Sequence, residues 1–189
     1  MVKKLTYLLL FFISTICNSQ VTYNFESGNL TGWIQVPDAH WTASNSSPLN
    51  GSFSLKHSVG ASNATDKISI ALPFWNPSNG TVTWQVKVRH GYDPSGSNRW
   101  WIYLMTDKDA NQMQLGGTCS GYAIGVNLVG TDDILKLWKI VNGTPQAILA
   151  STLNWQTQIT TAGTGAMEIE RSKNGIFTLR ASSAGSFSS

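Results

Sequence analysis

The chain has little with which to cross-link itself, attract polyanions or perform recognisable chemistry. It contains two cysteines. Cys17 lies in an apolar leader, which leaves only Cys119 in the body of the chain, and one thiol closes no internal disulfide. An exported domain of this composition must rely on its hydrophobic core. A buried, inert thiol is the default reading of Cys119, and pairing with another chain is the alternative. Thirteen Lys and Arg stand against ten Asp and Glu, a formal charge of +3, and two of the cations, Lys3 and Lys4, belong to the leader. The body is therefore close to neutral. It has no basic stripe of the kind that neutralises phosphates, which argues against a nucleic-acid partner. His40, His57 and His90 stand apart from one another, and no Cys/His cluster has metal-ligand spacing. HExxH, a Walker loop, a dinucleotide fingerprint and a G-x-S-x-G elbow are all missing. So are an internal repeat and any amphipathic pattern of about ten residues or more.

The chain opens with Lys3-Lys4, an apolar run from Leu5 to Ile16 that is too short to span a bilayer comfortably, and small or polar residues up to Ser19. This predicts a signal peptide over residues 1–19, cleaved before Gln20, and hence a secreted or cell-surface product with no membrane span after cleavage. Cys17 suggests a lipoprotein alternative, but the bulky Ile16 directly before it matches a lipidation signal poorly. The expected organisation is a signal peptide at 1–19, a β-sandwich module at 20–181 and a Ser/Gly-rich tail or truncated end at 182–189.

The most informative stretch runs from Gly80 to Asp107. Val82, Trp84, Val86 and Val88 share one face of a strand, because side chains alternate. Asp93-Pro94-Ser95-Gly96-Ser97-Asn98 is turn chemistry, and the chain returns through Trp100, Ile102 and Leu104 on one face and Trp101, Tyr103 and Met105 on the other. The two strands are expected to form a central hairpin. The second, apolar on both faces, is expected to lie centrally in a sheet covered on both sides. Further strands are predicted at Val21–Phe25, Trp33–Val36, His40–Thr42, Ser52–His57, Ile68–Leu72, Gly121–Val129, Ile134–Val141, Ala147–Ser151, Met167–Arg171 and Ile176–Arg180. Loops are expected at 44–51, 59–65, 74–80 and 108–117. Asn142-Gly143 and Asn174-Gly175 are hairpin signals, and Gly125 marks a place where a neighbouring strand approaches closely. Short strands separated by Gly/Asn/Ser turns predict an all-β, two-sheet antiparallel sandwich or jelly roll.

Two resemblances attach to these residues. FESGNLTGW, followed by His40-Trp41, resembles the start of a MAM or laminin-G-type module with a concanavalin-like jelly roll. The longer run VRHGYDPSGSNRWWIYLMTDKDA, with GYAIGVNLVGTDDILKLWKI, NWQTQI and MEIERSKNG, resembles an N-terminal module of large surface proteins exported by type IX secretion in Gram-negative bacteria. This likeness covers roughly residues 20–180. It implies a fold, an extracellular address and downstream lamin-tail, adhesion or sorting domains, but no agreed set of ligand residues. A jelly roll of this kind carries a further strand or two after Ile176–Arg180, whereas this chain stops in SSAGSFSS. The resemblance thus implies a fragment or truncated product whose first strand has an unpaired edge.

The candidate chemistry is that of recognition. Eight tryptophans supply core, and any of them on a loop would supply a platform for a sugar ring. Tyr92, Asp93, Asn98, Arg99 and Trp101 flank the 93–98 loop and form the candidate ligand site, for a glycan or a surface protein. Asp107-x-Asp109-x-Asn111 offers the oxygen ligands of a calcium loop without the glycine and terminal glutamate of an EF-hand. An Asx-rich turn is the simpler reading and a calcium site of another type the alternative; no other cofactor is implied. Glu168 and Glu170 share a strand face at a spacing a glycosidase would tolerate, but MEIERS lacks the further acids of a concanavalin-like hydrolase, so a solvent face is the reading taken. Sequons begin at Asn29, Asn45, Asn50, Asn63, Asn79 and Asn142; with a bacterial source they are Asn/Ser/Thr-rich loops. The expectation is a non-catalytic extracellular recognition module. The alternatives are a structural or adhesion spacer and a degenerate hydrolase.

Overall fold

The structure is a computed structural model describing residues 20–60, 65–73 and 76–187. The expected signal peptide, the Asn63 sequon and parts of the expected 59–65 and 74–80 loops lie outside the described residues.

Among the described residues eleven strands pair antiparallel throughout, an all-β architecture that the alternating patterns require. One sheet holds β5 (Val82–Val88), β10 (Gly165–Arg171) and β11 (Phe177–Ser182), in the order β11-β10-β5. The other holds β6 (Trp100–Thr106), β7 (Gly121–Val126), β8 (Ile134–Val141) and β9 (Thr144–Asn154), in chain order. They face each other as a sandwich. Leu104, Ile124, Val126, Leu135 and Leu137 of one sheet meet Met167 and Ile169 of the other, with Trp84, Val86 and Val88 packed against them. Trp155 closes one end. It opens a single π turn, Trp155–Ile159, is fully buried, and lies edge-on to Trp100 with ring centroids 4.7 Å apart. Gly165 leaves room for that ring, since a Cβ there would sit 2.6 Å from it.

The four-stranded sheet is covered on its outer face as well. Trp138, Ile140, Ala123, Trp101 and Tyr103 turn outward onto Ala110, Met113 and Cys119 of the 107–120 connection and onto Val36. Two apolar faces explain the nearly unbroken apolar run of β8, where Leu135 and Leu137 face inward and Trp138 and Ile140 outward. Gly125 permits a close approach, as its spacing suggested: a Cβ there would lie 2.4 Å from the Trp100 carbonyl oxygen.

Three expectations are corrected. β5 and β6 form no hairpin; β5 pairs with β10 and β6 with β7, so the 89–99 connection crosses between sheets. β6 is covered on both faces but sits at the edge of its sheet, because its outer cover comes from loop and ribbon and not from flanking strands. Val21–Phe25 is not a strand. The N-terminal part instead makes two small ribbons, β1 (Ile34–Val36) with β4 (Lys67–Ser69) and β2 (Trp41–Ser44) with β3 (Ser54–His57). They are fastened by polar groups. Gln35 Oε1 accepts from Trp41 N at 2.9 Å, the Glu26 carboxylate accepts from Ser52 N at 3.0 Å, and Ser69 Oγ accepts from Ala110 N at 2.8 Å.

Candidate functional site

The structure divides the expected ligand loop between fastening and display. Asn98 Nδ2 donates to the Asp93 carbonyl at 2.8 Å, and the backbones close further through Ser95 N to Asn98 O at 2.9 Å. Arg99 Nη1 donates to the Leu128 carbonyl at 3.1 Å while its guanidinium lies 5.9 Å from the Trp101 ring centroid. Trp101 packs on the outer-face cluster. Tyr92 is 55% exposed and carries the loop's outward aromatic surface. His90 stands beneath it, its Nδ1 donating to the Tyr92 carbonyl at 2.9 Å and its ring 6.5 Å from Trp100. Burial lowers the His90 pKa, and the Tyr92 carbonyl opposes that only in part.

At the 107–111 stretch the carboxylates hold their own backbone. Asp109 Oδ1 accepts from Asn111 N at 2.9 Å and from Asn111 Nδ2 at 3.2 Å, an Asx turn. Asp107 Oδ1 accepts from Ser120 N at 2.7 Å. Glu168 takes Gln85 Nε2 at 2.8 Å and Arg180 Nη1 at 2.7 Å. The Gln85 hydrogen bond, and then Arg180, hold its carboxyl below the usual range despite some desolvation, whereas a glycosidase acid needs the opposite shift. Cys119 is a free, fully buried thiol between the Tyr103 hydroxyl at 3.3 Å and the Gln114 carbonyl at 3.2 Å. Burial, followed by Cys119, raises the Tyr103 hydroxyl well above its ordinary value.

A second constellation went unread in the sequence. The β2–β3 register sets Trp41 opposite His57, and Ser58 N donates to the His40 carbonyl at 2.9 Å, so His40 and His57 meet at one end of that ribbon. Asp66, the residue before β4, comes to the same place because β4 pairs with β1 and Gln35 of β1 holds Trp41. His57 Nε2 lies 2.5 Å from Asp66 Oδ2, and His40 Nδ1 lies 3.0 Å from Asp66 Oδ1. The Asp66 side chain is only 8% exposed, against 25% and 38% for the two imidazoles. Desolvation pushes the Asp66 carboxyl up, but the two imidazoles outweigh it and hold it below the ordinary range. The three ligand atoms fall within 4.8 Å of one another, the one such grouping of three or more His, Cys, Asp or Glu among the described residues. Two imidazole nitrogens and a carboxylate are a donor set that suits borderline divalent metals. The readable signal was the polar SNSSPLNG loop between two short strands, which as a hairpin brings His40 toward His57.

Comparison with protein-family models, with curated proteins and with solved structures gives no match.

Proposed function

We propose that the chain is a non-catalytic, extracellular recognition module that binds a glycan or a surface protein through the 89–99 connection. The supporting observation is a loop fixed by its own bonds that displays Tyr92 to solvent. A pre-organised loop loses little entropy on binding, and an aromatic ring with neighbouring polar groups suits the C–H face of a sugar. The secreted or cell-surface address, the place among type IX-exported surface proteins and the presence of downstream domains belong to the same proposal. They rest on the leader and on the resemblance carried by residues 20–180.

The alternative is a structural or adhesion spacer, favoured by the internal use of Asn98 and Arg99 and by the packing of Trp101. A glycan array probed with the purified protein in calcium-containing buffer separates the two. Binding that is lost in Tyr92→Ala, in a variant that melts like the parent, supports recognition through this loop. A blank array from a cooperatively melting protein removes the glycan and moves the assignment to a spacer or a protein-binding module. Trp101→Ala is the poorer probe, because it unpacks the outer-face cluster together with any site.

A further inference from the structure

We propose that His40, His57 and Asp66 bind one borderline divalent cation of the zinc class, through two imidazole nitrogens and one carboxylate oxygen. This goes beyond the recognition role assigned to the 89–99 loop and does not depend on it.

Ligand type and position carry the proposal. In a tetrahedral zinc site with bonds of about 2.0–2.1 Å, ligand atoms stand roughly 3.3 Å apart. The His40 Nδ1 to Asp66 Oδ1 separation of 3.0 Å is already near that value, and a small rotation of the His57 ring opens its 2.5 Å approach to Asp66 Oδ2. The second observation is the state of the buried atoms. His40 Nδ1 and Asp66 Oδ1 are both cut off from water, and despite their proximity neither is aligned in a hydrogen bond. A buried carboxylate oxygen and a buried imidazole nitrogen that face each other at 3.0 Å without an aligned hydrogen bond are only partly compensated for their loss of water. A cation that accepts a lone pair from each relieves both at once and needs no N–H alignment. Imidazole nitrogens exclude a calcium-type site, which requires oxygen.

The surroundings give the cation a structural task. No described residue before Pro94 is fully buried, so the two N-terminal ribbons have no core of their own. A cation at this point would join the β2–β3 ribbon to the start of β4. Small units short of apolar core are commonly stapled by a metal in this way.

The test uses the purified protein from Gln20 onward, without a histidine tag and freed of metal by chelator. Zinc titrated calorimetrically should bind at one equivalent per chain and raise the melting temperature. Cobalt(II) should give the visible d–d absorption of a low-coordinate nitrogen and oxygen site. Excess calcium should displace neither metal. His40→Ala, His57→Ala and Asp66→Asn should each weaken zinc by at least about a hundredfold, since loss of an outer-shell partner alone commonly costs ten- to a hundredfold. Asp66→Asn keeps the shape of the side chain, so that variant, when folded, separates loss of the site from loss of the fold. Absence of a cobalt band or of zinc heat in the parent overturns the proposal and leaves a metal-free His-Asp-His ion-pair cluster. Undiminished one-to-one zinc binding by folded His57→Ala overturns it as well.

Discussion

His90 shows how one residue ties the sandwich to acidity. Its ring is half-buried beside Trp100 and beneath Tyr92, and burial holds its pKa below the ordinary value. The folded chain therefore binds this proton less readily than the unfolded chain, whose histidines titrate at about 6.5. Linkage fixes the sign. The His90 contribution to stability is complete above the unfolded value and is lost as pH falls from there through the lower folded value. Melting temperatures taken between about pH 7.5 and pH 5 should fall more steeply in the parent than in His90→Gln. Parallel curves would mean that the ring is solvated and takes up its proton freely. The comparison is made between two proteins that share His40, His57 and Asp66, so the contribution of that cluster is common to both.

At the scale of elements, the best-read part of the chain is the β8–β9 hairpin. Ile134–Val141 is a strand with the expected bounds, and Asn142 and Gly143 turn the chain with φ of 47° and 72°. Those paired positive φ values are what a tight two-residue hairpin requires. Gly143 does more than turn. Its N–H donates to the Cys119 carbonyl at 2.7 Å, its carbonyl accepts from Gly116 N at 2.9 Å, and a Cβ would sit 2.5 Å from the backbone of Gly117. Gly143→Ala should therefore both strain the turn and push away the 107–120 connection that covers the outer face of the sheet, costing about 1–3 kcal/mol. In a domain of this size that is roughly 2–4 °C of melting temperature per kcal/mol. Asn142→Gly keeps the left-handed tip and should cost under about 1 kcal/mol; equal losses in the two variants would place the damage in the turn alone. The neighbouring misreading has an equally physical origin. Turn residues at 93–98 report that the chain reverses, but not which sheet each flanking strand joins, and β5 and β6 join different ones. The sheet faces were legible from alternation, as Val82, Trp84, Val86 and Val88 show. Strand partners were not, because pairing is decided by contacts distant in sequence. Asp66 was hidden for the same reason: the β2–β3 loop hints that His40 and His57 meet, but only the β1–β4 register brings Asp66 to them, and no local spacing records it.

For the whole molecule, the distribution of burial predicts the order in which it opens. The buried residues of both clusters come from positions 104–169, across the facing sheets and the outer cover of the four-stranded one. The ribbons β1–β4 and β2–β3 contribute Val36 to the edge of one cluster and otherwise hold by strand pairing, by partly exposed ring contacts such as Trp41 with His57, and by polar contacts such as Glu26 with Ser52 and Ser69 with Ala110. A single hydrogen bond contributes little net stability, whereas buried apolar area dominates. The ribbons should open sub-globally at a free energy well below that of the sandwich. Hydrogen exchange followed by mass spectrometry checks this directly. In metal-free protein, peptides over 41–57 should exchange far sooner than peptides over 121–141, where strands β7 and β8 are covered on both faces. Zinc should slow exchange at 40–57 and 65–69 and leave 121–141 unchanged, because a staple between β3 and the start of β4 resists ribbon opening without touching the sandwich. Equal protection of ribbon and sandwich in the metal-free protein would instead mean that the polar contacts weld both into one cooperative unit.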